Sequence, residues 1–237
     1  NVQHMDMNGN SELAVPQNTL GAELRQLENK QWEQITLPHT PFVEPLTVLH
    51  QWQGICYYKK KITITPEEAK KHIWIEFEGA MHLADVWING KHVMQHAGGY
   101  TPFVVDATGL LKTGKENELL VRLDNRNNSL IPPGKPLETL DFCYYGGIYR
   151  NVHLIAKADV HITHPILDGH PAGAGIFITY PKVSQELSVV DAKTEIKNTS
   201  DKEKLVELRH TLYTWKKQKG KDKKVQNIQK HSHCTLA

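Results

Sequence analysis

The chain has 237 residues, 39% of them hydrophobic and 23% charged, and its 28 basic and 26 acidic side chains leave a formal net charge of +2. That length suffices for one large or two ordinary domains with proper cores, and the charge balance favours no particular partner. No apolar run approaches the roughly 18 residues of a membrane span. No basic start leads into an apolar stretch as a secretory signal would. A soluble protein without a membrane partner is expected, with cytoplasm and periplasm both open.

Residues 1–30 are polar, with a helix-compatible ELRQLENKQ near their end, and are expected to be irregular. From Trp32 the character changes. The segments CYYKKKITIT, HIWIEFEG, LADVWI, KHVMQH, ELLVRLDN and VHLIAKADVHI are short and rich in β-branched and aromatic residues. Clusters of Gly, Pro, Asn or Asp separate them, as expected for strands joined by turns. In IEFEG, Ile75 and Phe77 fall on one face and Glu76 and Glu78 on the other, the pattern of a half-buried strand. Asn89-Gly90 interrupts an apolar alternation and accepts the positive φ angles of a tight primed turn. Gly98-Gly99 and Gly146-Gly147 mark sharp bends or close backbone approaches. Many short strands with almost no helical period predict an all-β fold, a jelly-roll sandwich.

Composition shifts after Ala158. The stretch HPILDGHPAGAG suits a connection, and ELSVVDAKTEIKNTS and KLVELRHTLYTW read as two further strands around a turn at Asn198-Thr199-Ser200. These predict a second sandwich of immunoglobulin type, which normally takes about 100 residues; with roughly 80 left, it is expected to be incomplete. The lysine-dense WKKQKGKDKK at 215–224 could meet nucleic acid or an anionic surface. Without an aromatic platform or phosphate loop, it reads better as a solvated hairpin loop, and no nucleic-acid partner is expected. The division predicted is 1–30 irregular, 31–157 jelly roll, and 158–237 immunoglobulin-like.

Few residues carry chemistry by pattern alone. Cys56, Cys143 and Cys234 are odd in number and widely spaced, which argues against a disulfide framework; Cys56 and Cys143 read as buried free thiols. HITH at 161–164 and HSHC at 231–234 lack the spacing of a zinc site, and single structural histidines explain them better. Glycosidases use two carboxyl groups flanking the scissile bond. Glu76 and Glu78 lie about 7 Å apart on one strand face, so they cannot flank a bond from opposite sides of a sugar and fit a solvent-facing surface. Asn127-Asn128-Ser129 and Asn198-Thr199-Ser200 match the glycosylation sequon, a pattern short enough to arise by chance. No serine sits in a nucleophile elbow, and no phosphate-binding glycine loop precedes a helix. Asp141, between a proline-rich segment and a double glycine, could accept hydrogen bonds from a sugar hydroxyl or offer oxygen to a hard cation. As a turn aspartate it could equally cap backbone amides.

Taken in order, WEQITLPHT, QGICYYKKKITI, GAMHLADVWINGK, HAGGYTPFVVD, GKENELLVRLDN and DFCYYGGIYRNV resemble the amino-terminal domain of family 2 glycoside hydrolases. The resemblance covers most of residues 32–156, while 158–237 is similar, more weakly, to the family's immunoglobulin-like second domain. One departure is the missing aromatic-rich opening strand. In the family these domains precede a (β/α)₈ barrel bearing both catalytic glutamates. A barrel needs about 250 residues; the resemblance therefore implies that the catalytic groups lie outside this chain, which alone is expected to be inactive. It places Asn89 where β-galactosidases of the family have an Asn-Gly loop reaching the sugar. It places Asp141 where they have an aspartate near the galactosyl hydroxymethyl group, in some members also binding sodium. PPGKPLETLDFCYYGGIYR is more similar to β-galactosidases than to β-glucuronidases, implying a retaining β-galactosidase with a terminal β-galactoside as substrate. The complete enzyme is expected to be a homo-oligomer, with no cofactor beyond sodium or magnesium. The alternatives are a free-standing carbohydrate-binding module using Trp74 or Trp87, a purely structural module, and a relative acting on β-glucuronides or β-mannosides.

Overall fold

The computed structural model describes residues 3–6, 11–14, 32–42, 52–142, 145–169, 174–218 and 221–236. The chain divides into two compact units, Asn1–Ala158 and Asp159–Ala237. Described regular structure is strand apart from two single-turn 3-10 segments, Glu68–Lys70 and Leu137–Thr139. The fold is all-β.

The described residues of the first unit form ten strands: β1 (Gln3–Asp6), β2 (Ser11–Ala14), β3 (Glu33–Ile35), β4 (Ile55–Thr63), β5 (His72–Phe77), β6 (Leu83–Ile88), β7 (Lys91–Ala97), β8 (Phe103–Asp106), β9 (Glu116–Asp124) and β10 (Val152–Lys157). They form a six-stranded sheet in the order β3-β2-β4-β9-β6-β7 and a four-stranded sheet in the order β1-β10-β5-β8. Every pairing between these strands is antiparallel. The period of two decides what lies between the sheets. Cys56, Tyr58 and Ile62 of β4, Ala84, Val86 and Ile88 of β6, and Leu119, Val121 and Leu123 of β9 meet Ile73, Ile75 and Phe77 of β5, Phe103 and Val105 of β8, and Val152, Leu154 and Ala156 of β10 in one core. Phe77 and Phe103 stack at 4.6 Å between ring centroids. Truncating a core aromatic of this kind typically costs about 3–5 kcal/mol.

Several expectations need correcting. The first thirty residues are not irregular throughout: β1 joins the edge of one sheet by pairing with β10, and β2 sits between β3 and β4 in the other. Four-residue strands that take their order from neighbouring ladders leave too short a hydrophobic pattern to read. Trp74 and Trp87, by contrast, are packed as large rings usually are, which leaves the binding-module alternative without an exposed platform there. Trp74 is 5% exposed, and Trp87 packs on Ile55, Tyr57 and Leu120 on the outer side of the six-stranded sheet. Cys56 is a buried free thiol, pushed well above its ordinary pKa by burial; Cys143 lies outside the described residues.

The second unit is built of antiparallel pairs. β11 (Val160–Ile162) pairs with β14 (Ile196–Asn198), β12 (Ile176–Val183) with β13 (Ser188–Thr194), and β15 (Lys204–Gln218) with β16 (Lys221–Leu236). The lysine-dense segment is not a loose loop over its whole length. Pairing continues to Gln218↔Lys221, because a backbone ladder forms whatever the side-chain charge; residues 219 and 220 lie outside the description. The expected turn after Asn198 is present, with the Asn198 Oδ1 accepting from the Ser200 amide at 3.1 Å and hydroxyl at 2.7 Å.

Candidate functional site

Antiparallel topology sorts the connections of the first unit to two opposite ends. At one end lie the Asn89-Gly90 turn and residues 64–71 and 107–115. Asn89 and Gly90 have φ of 52° and 79°, so both central positions of the turn are left-handed as expected. Asn117, fully buried, pins this turn end. Its Oδ1 accepts from Lys112 N at 2.7 Å and Asn89 Nδ2 at 2.9 Å, while its Nδ2 reaches the carbonyls of Ile62, Lys112 and Lys115.

The other end gathers residues 78–82, 98–102, 125–142 and 145–151, joined there by the described residues 39–42 and 52–54 of the link that leads into β4. Gly147 forms an isolated bridge with Met81. It has φ +101°, and a Cβ there would lie 2.6 Å from both the His39 carbonyl and the Tyr58 hydroxyl, so only glycine fits. A second buried asparagine, Asn125, accepts from Gly54 N at 2.8 Å and donates to Trp52 O at 3.0 Å. Met81 and Leu137 pack together with Leu140 and Tyr149, and Tyr149 donates to the Gly99 carbonyl. The exposed large hydrophobics among the described residues of this unit are Phe42, Tyr100, Leu130 and Phe142. All four belong to these segments.

A cleft of about 320 Å³ opens at this end, lined by His82, Leu83, Asp124, Arg126, Asn127 and Asn128. Its walls are braced. Arg126 grips Asp124 with Nε–Oδ1 at 2.9 Å and Nη2–Oδ2 at 2.6 Å, a two-pronged charge-assisted pair. Arg122 extends the network, lying 3.5 Å from Asp124 and 3.2 Å from Asp85. Burial alone would raise the Asp124 carboxyl, but hydrogen bonds from Arg126 and the charges of Arg126 and Arg122 outweigh it and hold it below its ordinary value. Asn127 Oδ1 accepts from Gln53 Nε2 at 2.8 Å and Leu137 N at 3.1 Å, and Asn128 Oδ1 from Leu130 N at 2.9 Å. His82 is buried; its desolvation lowers its pKa despite the opposing charge of Asp124 and a backbone hydrogen bond with Arg126.

The structure does not bring Asn89 and Asp141 together. Asn89 follows the last residue of β6, whereas Asp141 belongs to the connection leaving β9 beside the first residue of β6, since Leu83 pairs with Asp124 and Ile88 with Leu119. Six strand residues span about 17 Å. The Asn89 side chain is committed to the turn end: its Nδ2 donates to Leu110 O and Asn117 Oδ1, and its Oδ1 accepts from Glu118 N at 3.1 Å. Asp141 is exposed at the long-loop end, next to exposed Phe142. Among the described residues no three His, Cys, Asp or Glu side chains converge on a metal position. Glu78 is a fastener of β10, accepting from Asn151 Nδ2 at 3.2 Å and paired with His153 Nε2 at 3.3 Å. Sequence reasoning missed His82, Asp124, Arg126 and Asn128 as cleft residues. Asp124-Asn125-Arg126-Asn127-Asn128 reads locally as a polar exit from a strand, and its sequon drew attention to surface modification.

The family model for glycosyl hydrolases family 2, sugar binding domain, matches residues 5–158. A β-glucuronidase of Formosa agariphila is 32% identical over 190 residues, which are 75% of this chain and 19% of that protein. A β-galactosidase of Thermoanaerobacter pseudethanolicus is 32% identical over 192 residues, 78% of this chain and 26% of its own. The structure of a Bacteroides uniformis β-glucuronidase superposes with a TM-score of 0.76 at 27% identity, covering the whole chain and 26% of that protein. This chain therefore spans only about a quarter or less of the length of these relatives. The antiparallel sandwich, the collinear strand and turn motifs and the match over residues 5–158 establish that the chain belongs to glycoside hydrolase family 2 and carries its amino-terminal sugar-binding domain.

Proposed function

We propose that this chain is the non-catalytic front of a retaining β-galactosidase, whose long-loop end borders the sugar while the two catalytic carboxyl groups belong to the rest of the polypeptide. The supporting observation is the sorting of the loops. The polar cleft and the exposed large hydrophobics described in the first unit lie at the end that carries Asp141. There the Asp141 carboxylate accepts hydrogen bonds from sugar hydroxyls, and the apolar rim gives the remainder of the enzyme a surface to pack on. The second unit serves as an immunoglobulin-like spacer. Asn89 acts as a turn residue in this reading.

A β-glucuronide substrate is the second reading, favoured by relatives of that name at comparable identity, 34% over 170 residues in Bacteroides fragilis. Hydrolysis of nitrophenyl β-galactoside and nitrophenyl β-glucuronide by the full-length enzyme separates the two. A kcat/KM for the galactoside at least about tenfold higher, a gap of 1.4 kcal/mol, is expected. The reverse preference would hand the assignment to the glucuronide.

A further inference from the structure

The turn end carries a reaction that the chain can perform on itself. Asparagine is a thermally labile residue, most of all before glycine, whose missing side chain leaves its backbone nitrogen open. The Gly90 nitrogen attacks the Asn89 Cγ, the N–Cγ bond forms as Cγ–Nδ2 breaks, and the Gly90 amide proton leaves with the departing ammonia. Water then opens the succinimide at either carbonyl, giving aspartate or an isoaspartyl link with one more methylene in the main chain. Asn89 and Gly90 are both exposed, and a Cβ on Gly90 would meet nothing within 4 Å. Crowding therefore does not protect the pair.

We propose that Asn89-Gly90 is a latent site of this modification, held off by hydrogen bonds to Asn117 and its neighbours, and that the network cannot accept the product. Cyclisation needs the carboxamide to swing toward Gly90 and to surrender Nδ2. In the fold that nitrogen donates to the Leu110 carbonyl at 3.3 Å and to Asn117 Oδ1 at 2.9 Å, while the Asn89 Oδ1 accepts from Glu118 N at 3.1 Å. The main chain is tied too, with Asn89 N donating to the Glu118 carbonyl at 2.9 Å. The reaction must therefore wait for a local opening of the turn end. The product fails for a second reason. An aspartate at 89 has no N–H and sets a carboxylate oxygen against Asn117 Oδ1. Turning the Asn117 amide over to offer Nδ2 instead would aim that nitrogen at the Lys112 amide, which now donates to Oδ1 at 2.7 Å, and would withdraw it from the carbonyls of Ile62, Lys112 and Lys115. Asn117 is fully buried, so no water replaces those partners.

The test is peptide mapping by mass spectrometry of the full-length protein after incubation in mildly alkaline buffer, scoring aspartate and isoaspartate at position 89. Conversion in the folded protein is expected to run at least about tenfold slower than in the same protein unfolded in urea. A smaller gap would overturn the protection. Asn117→Ala is expected to raise the folded rate at least about fivefold, and a smaller rise would remove Asn117 from the role. Should that variant not fold, sub-denaturing urea on the wild type decides: the rate should climb with urea, and a flat rate overturns the proposal. Asn89→Asp should lower the denaturant midpoint. A midpoint at or above that of the wild type would show that the network does accept the product.

Discussion

The two ends of the first unit are made from the same strands and the same chain, yet they differ in what their loops are for. At the turn end, the links close around one buried asparagine, and the polar side chains mostly answer backbone groups of their own neighbourhood. At the long-loop end another buried asparagine holds two backbone segments apart in sequence, and around it stand a cleft, a charge network and four exposed apolar residues. A sandwich can spend one end on closure and leave the other for recognition because strand length separates them by about 17 Å. Changes at one end therefore should not couple strongly to the other.

The most disruptive test at the long-loop end is Gly147→Ala. A left-handed φ combined with a Cβ pressed against the His39 carbonyl and the Tyr58 hydroxyl should cost roughly 3 kcal/mol or more, read as a fall in the denaturant midpoint. At the turn end, Asn117→Ala should approach it. It strands the Lys112 amide and three carbonyls in a buried site, a loss of roughly 2–4 kcal/mol. In the full-length enzyme its kcat/KM near folding conditions should match wild type; a drop in turnover larger than the unfolded fraction explains would erase the distinction between the ends.

Asp141→Ala should do the opposite. An exposed carboxylate costs little stability, but kcat/KM for a galactoside should fall about tenfold or more, the worth of a charged hydrogen bond. Unchanged kinetics would return Asp141 to a turn aspartate. Asn89→Ala, with φ of 52° and three side-chain hydrogen bonds to lose, should cost about 1–2 kcal/mol and leave KM alone.

Acid sharpens the contrast most gently. His39, His82 and His96 all belong to the long-loop end, and burial is the main reason each has a lowered pKa. The unfolded chain then binds more protons than the native one below about 6.5, so stability is full above that value and declines as pH falls toward the native pKa values. The Asp124 carboxyl, held low overall by Arg126, adds a further loss only below the ordinary carboxylate range. Denaturant midpoints measured from pH 7.5 down to 5 should decline, and His82→Gln should flatten part of that slope. A midpoint that rises over this interval would contradict the buried neutral histidines.

Much of the first unit was legible in the residues. Ile75 and Phe77 point to the core with Glu76 outward, and Asn89-Gly90 makes its left-handed turn, because a period of two and a positive-φ dipeptide are properties of a few adjacent residues. The order of motifs likewise carried the family. What the residues could not show is which loops meet. Asn125 binds Gly54 across 71 positions and Glu78 binds Asn151 across 73, and such partners are chosen by strand order, not by local pattern. Hence the family resemblance named both Asn89 and Asp141 as candidates, while the fold places Asn89 at the turn end and Asp141 on the connection that leaves β9. The sequence determined the strands, their faces and their turns. The tertiary structure decided which end is closed and which is open, and joined Arg122 to Asp85 across 37 positions, because such pairs form only where the packed chain brings two groups within hydrogen-bond reach.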